Sequence, residues 1–294
     1  MAFALDAKKI ELSRDPRESH ISLPPAAEIG WRSATESDIL AGFAGRRMSL
    51  RNRVAVVTGG SRGIGRGIAL RLAQDGARVA IAYRANKTAA QLALRQLQAV
   101  GADCVAVETD ISQSGRADQL ISTVVDRFGR VDILVNNVGD FRWGTLVESS
   151  AGEWRTVFES NVMTVFYMCR AALPAMRKGR WGRIVNMGAV GAERAFGQAK
   201  ISAYAAAKAA VVALSRSLAL EEAKNGITVN VVNPSNIDEK DLTIEEARKL
   251  RDARYPIGRP PTVEDVAASV AFFASEEAEY VTGQVVNVSG GWML

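Results

Sequence analysis

The chain has 294 residues, of which 48% are hydrophobic and 23% charged, a globular composition that suits one large α/β domain or two small ones. Its formal charge of +5 comes from scattered lysines and arginines rather than a basic run, which argues against a nucleic-acid surface and is compatible with phosphate-bearing small ligands. The two cysteines are too few for a disulfide framework, and the single histidine, His20, argues against a histidine-based metal site or a Ser-His-Asp triad, so no metal is expected.

The N-terminal part of the sequence differs in character from the rest. Residues 1–52 are predicted to form a loose arm with one short helix, capped by Ser33 and Glu36. We expect Trp31 and Phe43 to pack on the parent domain, although the arm could instead wrap a neighbouring subunit or cover the active site. The arm resembles neither a secretory signal nor a transit peptide, and no window of about 18 apolar residues predicts a membrane span, so a cytoplasmic protein is expected.

Residues 53–294 alternate between short apolar runs and helical periodicities, which predicts a single domain. The predicted strands are Val54–Val57, Val79–Tyr83, Val105–Glu108, Ile133–Val135, Ile184–Asn186, Thr228–Val232 and Val285–Val288. The predicted helices are Gly65–Asp75, Thr88–Val100, Ser114–Phe128, Ala151–Arg177, Ser202–Lys224 and Val263–Ala274. Because such alternation needs right-handed crossovers, we expect a Rossmann-like doubly wound parallel sheet of about seven strands, with ligands beyond the carboxyl ends of the strands.

Residues that cap helices support this division. Ser150 and Glu153 have the spacing of an N-terminal capping box. Four glycines stand where C-terminal caps belong: Gly101, Gly129, Gly179 and Gly226. The pattern predicts helix ends at these positions.

The first predicted strand runs directly into a glycine-rich turn, Thr58-Gly59-Gly60-Ser61-Arg62-Gly63-Ile64-Gly65. Glycines let the backbone approach a diphosphate closely, and the helix N-terminus that follows attracts anions. Any α/β protein uses glycine in tight turns, so this turn by itself indicates a nucleotide site only weakly.

The end of the second strand bears on which dinucleotide would bind. An acid that binds the ribose hydroxyls of NAD would be expected there, but the residues are Tyr83-Arg84-Ala85-Asn86-Lys87. Arg84, together with Arg62, is suited to a 2′-phosphate, which favours NADP(H) over NAD(H). The alternative is that both arginines are ordinary surface charges.

Polar residues also follow the third and fourth strands, at Asp110-Ile111 and at Asn136-Asn137-Val138-Gly139. Farther along, Asn161 interrupts the apolar face of the long helix where helical periodicity predicts burial. A buried asparagine needs hydrogen-bond partners, so Asn161 indicates either a water network or a kink.

Tyr204 and Lys208 lie one helical turn apart and project from one face of the predicted helix 202–224. A nearby ammonium favours the phenolate and is expected to lower the tyrosine pKa, which makes the pair a workable proton donor to a carbonyl oxygen. A surface contact is the alternative when the pair is considered alone.

Together these stretches resemble the short-chain dehydrogenase/reductase family, and the resemblance covers Arg53 to Trp292. The glycine-rich turn is similar to the family's Thr-Gly-x-x-x-Gly-x-Gly, and Tyr204 with Lys208 to its Tyr-x-x-x-Lys. The Asn136 turn is similar to Asn-Asn-Ala-Gly, except at Val138.

The resemblance implies a catalytic set of Tyr204, Lys208 and Asn161. Tyr204 would be the acid/base, Lys208 would bind the ribose and depress the tyrosine pKa, and Asn161 would hold a proton-relay water. Asp110 would contact adenine. The expected cofactor contacts are Gly59, Ser61, Arg62, Gly63, Ile64, Gly65, Arg84, Asp110, Ile111, Asn137, Gly139, Tyr204, Lys208, Pro234 and Ile237.

The sequence departs from the family at the position of a serine that hydrogen-bonds the substrate oxygen, where Ala189 stands. Losing one such donor can cost about 3 kcal/mol of transition-state stabilisation, so another group supplies it or the reaction needs it less. Candidate replacements are Gln198, Glu193, Arg194 and Ser202. The family's Pro-Gly after the sixth strand is also changed, to Pro234-Ser235, and its threonine to Glu239.

Three functions follow as hypotheses. The first is NADP(H)-dependent hydride transfer between nicotinamide and a small-molecule carbonyl or alcohol. The second is reduction of a C=N or activated C=C bond, in which Ala189 is understandable because no strong alkoxide forms. The third is a cofactor-binding protein with a non-redox or scaffold role.

Two further expectations concern the surroundings of the site. Residues 235–261 are expected to be a mobile substrate lid with a helix at Thr243–Tyr255, whose charged side chains, among them Lys240 and Asp241, face water. Family habit implies a homo-tetramer or homo-dimer through the helices 151–177 and 202–224.

Overall fold

A computed structural model describes residues 49–238 and 240–293. The predictions for the arm, including its short helix and the packing of Trp31 and Phe43, lie outside the described residues, as does the prediction for Glu239.

Seven parallel strands form one sheet, as the alternating sequence predicts. The strands are β1 (Val54–Thr58), β2 (Arg78–Tyr83), β3 (Cys104–Glu108), β4 (Ile133–Asn136), β5 (Gly182–Met187), β6 (Ile227–Pro234) and β7 (Val285–Val288). Their order is β3-β2-β1-β4-β5-β6-β7, so the sheet is built outward in both directions from β1 and β4. Two crossover directions meet at this pair, which creates the crevice where doubly wound sheets bind ligands.

Helices cover both faces of the sheet. They are α1 (Gly63–Gln74), α2 (Lys87–Ala99), α3 (Arg116–Phe128), α4 (Ala151–Phe158), α5 (Thr164–Gly179), α6 (Ser202–Glu222), α7 (Ile244–Lys249) and α8 (Val263–Ala274). Ala55 and Val57 of β1 pack into one core with α1, α2 and α8, whereas Val54 and Val56 pack into a second core with α3, α5 and α6. This two-sided burial explains why β1 is an unbroken apolar run.

The predicted long helix 151–177 is interrupted at Asn161. Residues Glu159–Met163 form a π turn between α4 and α5, with the capping box of Ser150 and Glu153 present at the start of α4. The Asn161 amide donates to the carbonyl of Val157 at 2.9 Å, inside the turn. A π turn is one form of the kink that the buried asparagine indicated, and such turns are frequent at functional sites.

Two helix ends differ from prediction. Gly101, Gly129 and Gly226 have the positive φ of C-terminal caps, but Gly179 is the last residue of α5 and Arg180 takes the left-handed conformation instead (φ 49°). The predicted helix at Thr243–Tyr255 is also too long, because α7 ends at Lys249 and Leu250 is extended (ψ 162°). After Leu250 the chain turns at Asp252, which pairs with Arg254 at 2.7 Å.

One stretch, Ser202–Asn225, is long and apolar enough to cross a membrane by length and composition alone. It contains α6, whose Val211 and Ala219 belong to the core shared with α3 and α5. Packing accounts for only part of its apolar character, because 33% of the apolar window is buried, and the expectation that the sequence has no such window was wrong.

Candidate active site

A cleft of about 1390 Å³ opens at the carboxyl ends of the strands. This volume exceeds the range of about 300–1,000 Å³ that is usual for small-ligand sites, and it leaves room for a dinucleotide and a substrate together. All of the sequence-predicted site residues line this cleft except Gly65 and Asn161, which lie behind its wall.

The glycine-rich turn forms one wall of the cleft. A Cβ at Gly65 would stand 2.3 Å from the carbonyl oxygen of Gly59, so only glycine lets the helix begin this close to the strand. The first turn of α1 carries no acidic residue, and its N-cap residue, Arg62, makes no side-chain cap. The free N–H groups of this helix terminus are therefore available to an anion.

The fourth-strand turn is fixed to the glycine-rich turn by hydrogen bonds. Thr58 Oγ1 accepts from the backbone N–H of Asn137 at 2.9 Å and of Val138 at 3.2 Å. The Asn137 amide donates to the Thr58 carbonyl at 3.0 Å. These bonds hold the carboxyl ends of β1 and β4 in register across the switch point.

Arg62 and Arg84 are exposed and line the end of the cleft next to β2. Within residues 49–238 and 240–293, neither guanidinium forms an ion pair, and Tyr83–Lys87 contains no acid. This end of the cleft is therefore electropositive and suited to a phosphate group.

Tyr204 and Lys208 lie on the opposite wall, at the start of α6. Lys208 is only 5% exposed; its Nζ donates to the Met187 carbonyl at 2.7 Å and lies 5.5 Å from the centre of the Tyr204 ring. Burial lowers the pKa of Lys208 to about 8 and raises that of Tyr204 to about 12. Desolvation is the cause of the raised Tyr204 pKa, so the lowering that the sequence predicts from the Lys208 ammonium is not seen. The charge of Lys208 favours the phenolate, whereas burial of the phenol opposes it.

Asn161 supports the wall from behind. It is fully buried and donates to the Asp140 carbonyl at 2.8 Å, whereas its Oδ1 has no hydrogen-bond partner among the described residues. A Cβ at Gly139 would stand 2.2 Å from that Oδ1 and 3.4 Å from Lys208 Nζ. The glycine of the Asn-Asn-Val-Gly turn is therefore required because the Asn161 amide occupies the space beside it.

The four candidate replacements for the missing serine differ in where they lie and in what they already bind. Ala189 and Gln198 both line the cleft. Glu193 accepts from the amides of Asn233 and Asn287, each at 3.0 Å, and Arg194 donates to the Met293 carbonyl at 2.7 Å. Ser202 lines a separate small cavity. Gln198 is the candidate that combines a place in the cleft with no hydrogen bond to another described residue.

Three aromatic side chains that the sequence did not single out line the cleft, and one of them, Phe141, packs against Tyr204. Phe141 meets the Tyr204 ring edge-on at 5.0 Å, and Trp143 lies 6.3 Å from Phe141. Trp292, directly after the C-terminal Gly290-Gly291, lines the same cleft and packs against Tyr255 at 6.1 Å. The sequence did contain a signal for Trp292: it follows a turn directly after β7, and β7 ends at the carboxyl edge of the sheet, where the cleft lies.

Comparison with known proteins agrees with this geometry. A family model described as "Enoyl-(Acyl carrier protein) reductase" matches residues 59–293. The 3-oxoacyl-[acyl-carrier-protein] reductase FabG of Staphylococcus aureus is 40% identical over 243 residues, which cover 82% of this chain and 98% of that protein. FabG of Vibrio cholerae is 39% identical over 250 residues, 84% of this chain and 100% of that protein.

The fold is also shared with solved structures. Acetoin dehydrogenase YohF from Salmonella typhimurium superposes with a TM-score of 0.74 at 34% identity, covering 82% of this chain and 96% of that one. This chain belongs to the short-chain dehydrogenase/reductase family. As a member of that family it is an oxidoreductase that uses a nicotinamide cofactor.

The residues of this short-chain dehydrogenase/reductase fit such a cofactor. The glycine turn tolerates no Cβ at Gly65, the first turn of α1 lacks a side-chain cap, and Arg62 faces the cleft. These features suit a phosphorylated ligand. In the described part of the chain there is no cluster of His, Cys, Asp or Glu that could hold a metal ion.

Proposed function

We propose that this chain is an NADP(H)-dependent oxidoreductase that moves a hydride between nicotinamide and a small-molecule carbonyl or alcohol. The observation that carries the proposal is that the Tyr204-Lys208 pair and the arginine-bearing glycine turn line one cleft. Arg62 and Arg84 would hold the 2′-phosphate, because a guanidinium matches phosphate geometry and neither arginine forms an ion pair with a described residue. The FabG relatives, which are named as 3-oxoacyl reductases, support a carbonyl substrate.

The nicotinamide supplies or accepts the hydride when the cofactor is bound. In the direction of reduction, Tyr204 donates its phenolic proton to the carbonyl oxygen, so that C=O becomes CH–OH. Burial raises the pKa of Tyr204, so the phenol is protonated at neutral pH but is a weak acid, and proton transfer depends on a neighbouring charge that stabilises the phenolate. Lys208, in its protonated form, stabilises the phenolate that remains, and Phe141 packs against the Tyr204 ring.

The first experiment replaces Tyr204 by Phe. We expect NADPH binding, followed by tryptophan-to-nicotinamide fluorescence transfer, to be unchanged, and turnover on a panel of ketones to fall by about 10²–10⁴-fold because the proton donor is lost. Tyr280→Phe, at a residue that is 99% exposed, is the matched control. Turnover that survives in Tyr204→Phe would refute the assignment, and a chain that binds NADPH but reduces no substrate would favour the scaffold hypothesis.

A second candidate, reduction of a C=N or activated C=C bond, is favoured by Ala189. The wall after β5 offers the substrate no hydroxyl, from Met187 to Val190, and these bonds develop less negative charge on oxygen. The family-model description, which names an enoyl reductase, points the same way.

Ala189→Ser tests this second candidate. If the natural substrate is an imine or enone, we expect the added hydroxyl to raise ketone reduction by about 10²-fold, since it restores one oxyanion donor. Ala189→Val, which adds bulk without a hydroxyl, is the control. Unchanged ketone activity in Ala189→Ser counts against the candidate.

We also propose that the protein is a cytoplasmic homo-oligomer. Phe166 of α5 and Leu220 of α6 are 40% and 83% exposed, on the two helices through which the family habitually associates. Sedimentation of the full chain would distinguish a dimer from a tetramer.

A further inference from the structure

Lys240 belongs to the substrate-side segment 235–261, yet its side chain lies on the glycine-rich turn. A Cβ built on Gly63 would stand 3.1 Å from Lys240 Cδ and 3.9 Å from its Cε, so the aliphatic stem passes over Gly63 in the space that a side chain there would need. Lys240 lines the cleft together with Ser61 and Ile64. Because the ammonium is one bond beyond Cε, it lies beside the same turn.

The neighbouring residue holds Lys240 in this position. Asp241 forms an ion pair with Arg66 in the first turn of α1. The carboxylate and this guanidinium thereby neutralise each other, whereas Lys240 forms no ion pair with any residue of 49–238 or 240–293. Lys240 and Asp241 are both exposed, as the sequence predicts, but they face the cofactor turn rather than water alone.

We propose that Lys240 is a cofactor-binding residue whose ammonium pairs with the diphosphate of the dinucleotide, and that the Arg66–Asp241 ion pair positions it. The proposal rests on the proposed function. The glycine turn presents backbone N–H dipoles and the Ser61 hydroxyl to a diphosphate, none of which carries a full charge, and Arg62 and Arg84 are assigned to the 2′-phosphate at the far end of the adenosine. A diphosphate carries two negative charges, so one full positive charge beside the turn complements what the backbone offers.

This contact links the cofactor to the substrate side of the cleft. The same segment contributes Tyr255, whose hydroxyl donates to the Asn236 carbonyl at 2.9 Å and which lines the cleft beside Trp292. Binding of the diphosphate therefore stabilises one wall of the substrate site through Lys240.

The test compares NADPH binding by the wild type, Lys240→Gln, Lys240→Arg and Asp241→Asn, with Lys249→Gln as the control at an exposed position of α7. We expect Lys240→Gln to weaken NADPH binding about tenfold, because a charge-assisted hydrogen bond is lost, and Asp241→Asn to weaken it less. Lys240→Arg keeps the charge and should bind within about threefold of the wild type. Adenosine 2′-monophosphate, which has the 2′-phosphate but no diphosphate, should bind all five proteins equally.

Two results would overturn the proposal. One is equal NADPH affinity for the wild type and Lys240→Gln. The other is an equal loss for adenosine 2′-monophosphate, which would assign Lys240 to the adenosine end or to the fold. A wild type that binds adenosine 2′-monophosphate but not NADPH overturns this proposal and the proposed function together, whereas normal NADPH binding with an unaffected Lys240→Gln overturns this proposal alone.

Discussion

Buried charged and polar groups have more hydrogen-bond partners at the amino ends of the strands than at the carboxyl ends. At the amino ends, Asp132 before β4 is 1% exposed, and it accepts from the Val54 N–H at 2.8 Å and from Arg130 through both oxygens. Arg183 of β5 is 2% exposed and donates to the carbonyls of Ser275 and Gly182, at 3.1 and 2.9 Å. Each buried charge there has several partners.

At the carboxyl ends, buried polar groups are left incomplete. The Oδ1 atoms of Asn136, Asn161 and Asn233 have no hydrogen-bond partner among the described residues. Lys208 holds an ammonium in an apolar wall with one carbonyl partner, and burial lowers its pKa to about 8. Burial also lowers the pKa of Arg183, to about 10, so both groups stay largely charged at pH 7.

This difference between the two ends of the strands distinguishes residues that stabilise the fold from residues that serve the site. A buried charge with a full set of partners holds the fold together, and removing one partner leaves the others unpaired. A buried charge with only one partner, such as Lys208, lowers stability and persists where the site needs it. Substitutions at the two ends should therefore have opposite effects on stability and activity.

The largest expected effect is at Lys208. Lys208→Met should lower kcat by about 10³-fold, because the phenolate loses its ammonium, and should raise the free energy of unfolding at pH 7 by roughly 1–3 kcal/mol. The folded pKa lies below the ordinary 10.5, so the destabilising contribution is full below pH 8 and disappears as the pH rises to about 10.5.

Chemical denaturation of both proteins between pH 7 and 10.5 measures this difference, and Lys249→Met is the exposed control. Wild-type stability should rise over that range relative to Lys208→Met. A Lys208→Met protein that is less stable than the wild type at pH 7 would show that the buried ammonium does not destabilise the fold.

The next largest expected effect is a loss of stability at the amino ends of the strands. Asp132→Ala should lower the free energy of unfolding by about 3 kcal/mol, because the Val54 N–H and Arg130 lose their buried partner. The kcat of the folded protein should stay unchanged, since Asp132 lies at the end of the sheet opposite the cleft. Asp126→Ala on the exposed side of α3 is the control, and a loss of kcat without a loss of stability would contradict the prediction.

The smallest effect concerns the choice of cofactor. Arg84→Gln should weaken NADPH binding about tenfold and leave NADH binding unchanged, because only NADPH has a 2′-phosphate for the guanidinium. Fluorescence titration with both cofactors measures the ratio, with Arg95→Gln on the exposed side of α2 as the control. An equal loss of affinity for NADPH and NADH would show that Arg84 does not bind the 2′-phosphate.

Much of the fold was predictable because its signals are local. A parallel strand buried on both faces is a continuous apolar run, as at Val54–Val57, and all seven predicted strands are present. The helix at 243–255 was overestimated because a charged, helix-forming composition continues past Leu250, whereas the backbone is already extended at Leu250 and turns again at Asp252. Gly179 was assigned as a cap from its residue type alone, but the backbone places the left-handed residue one position later, at Arg180.

The strands of the sheet, the glycine turn at its first crossover and the one-turn spacing of Tyr204 and Lys208 can all be predicted from the sequence, since each depends on residues close together in the chain. The packing of the whole fold sets the pKa values, because desolvation depends on everything around a group: burial raises the pKa of Tyr204 and lowers that of Lys208. This packing also decides that Lys240 lies on Gly63, two residues far apart in sequence that meet only because the chain after β6 returns across the carboxyl edge of the sheet.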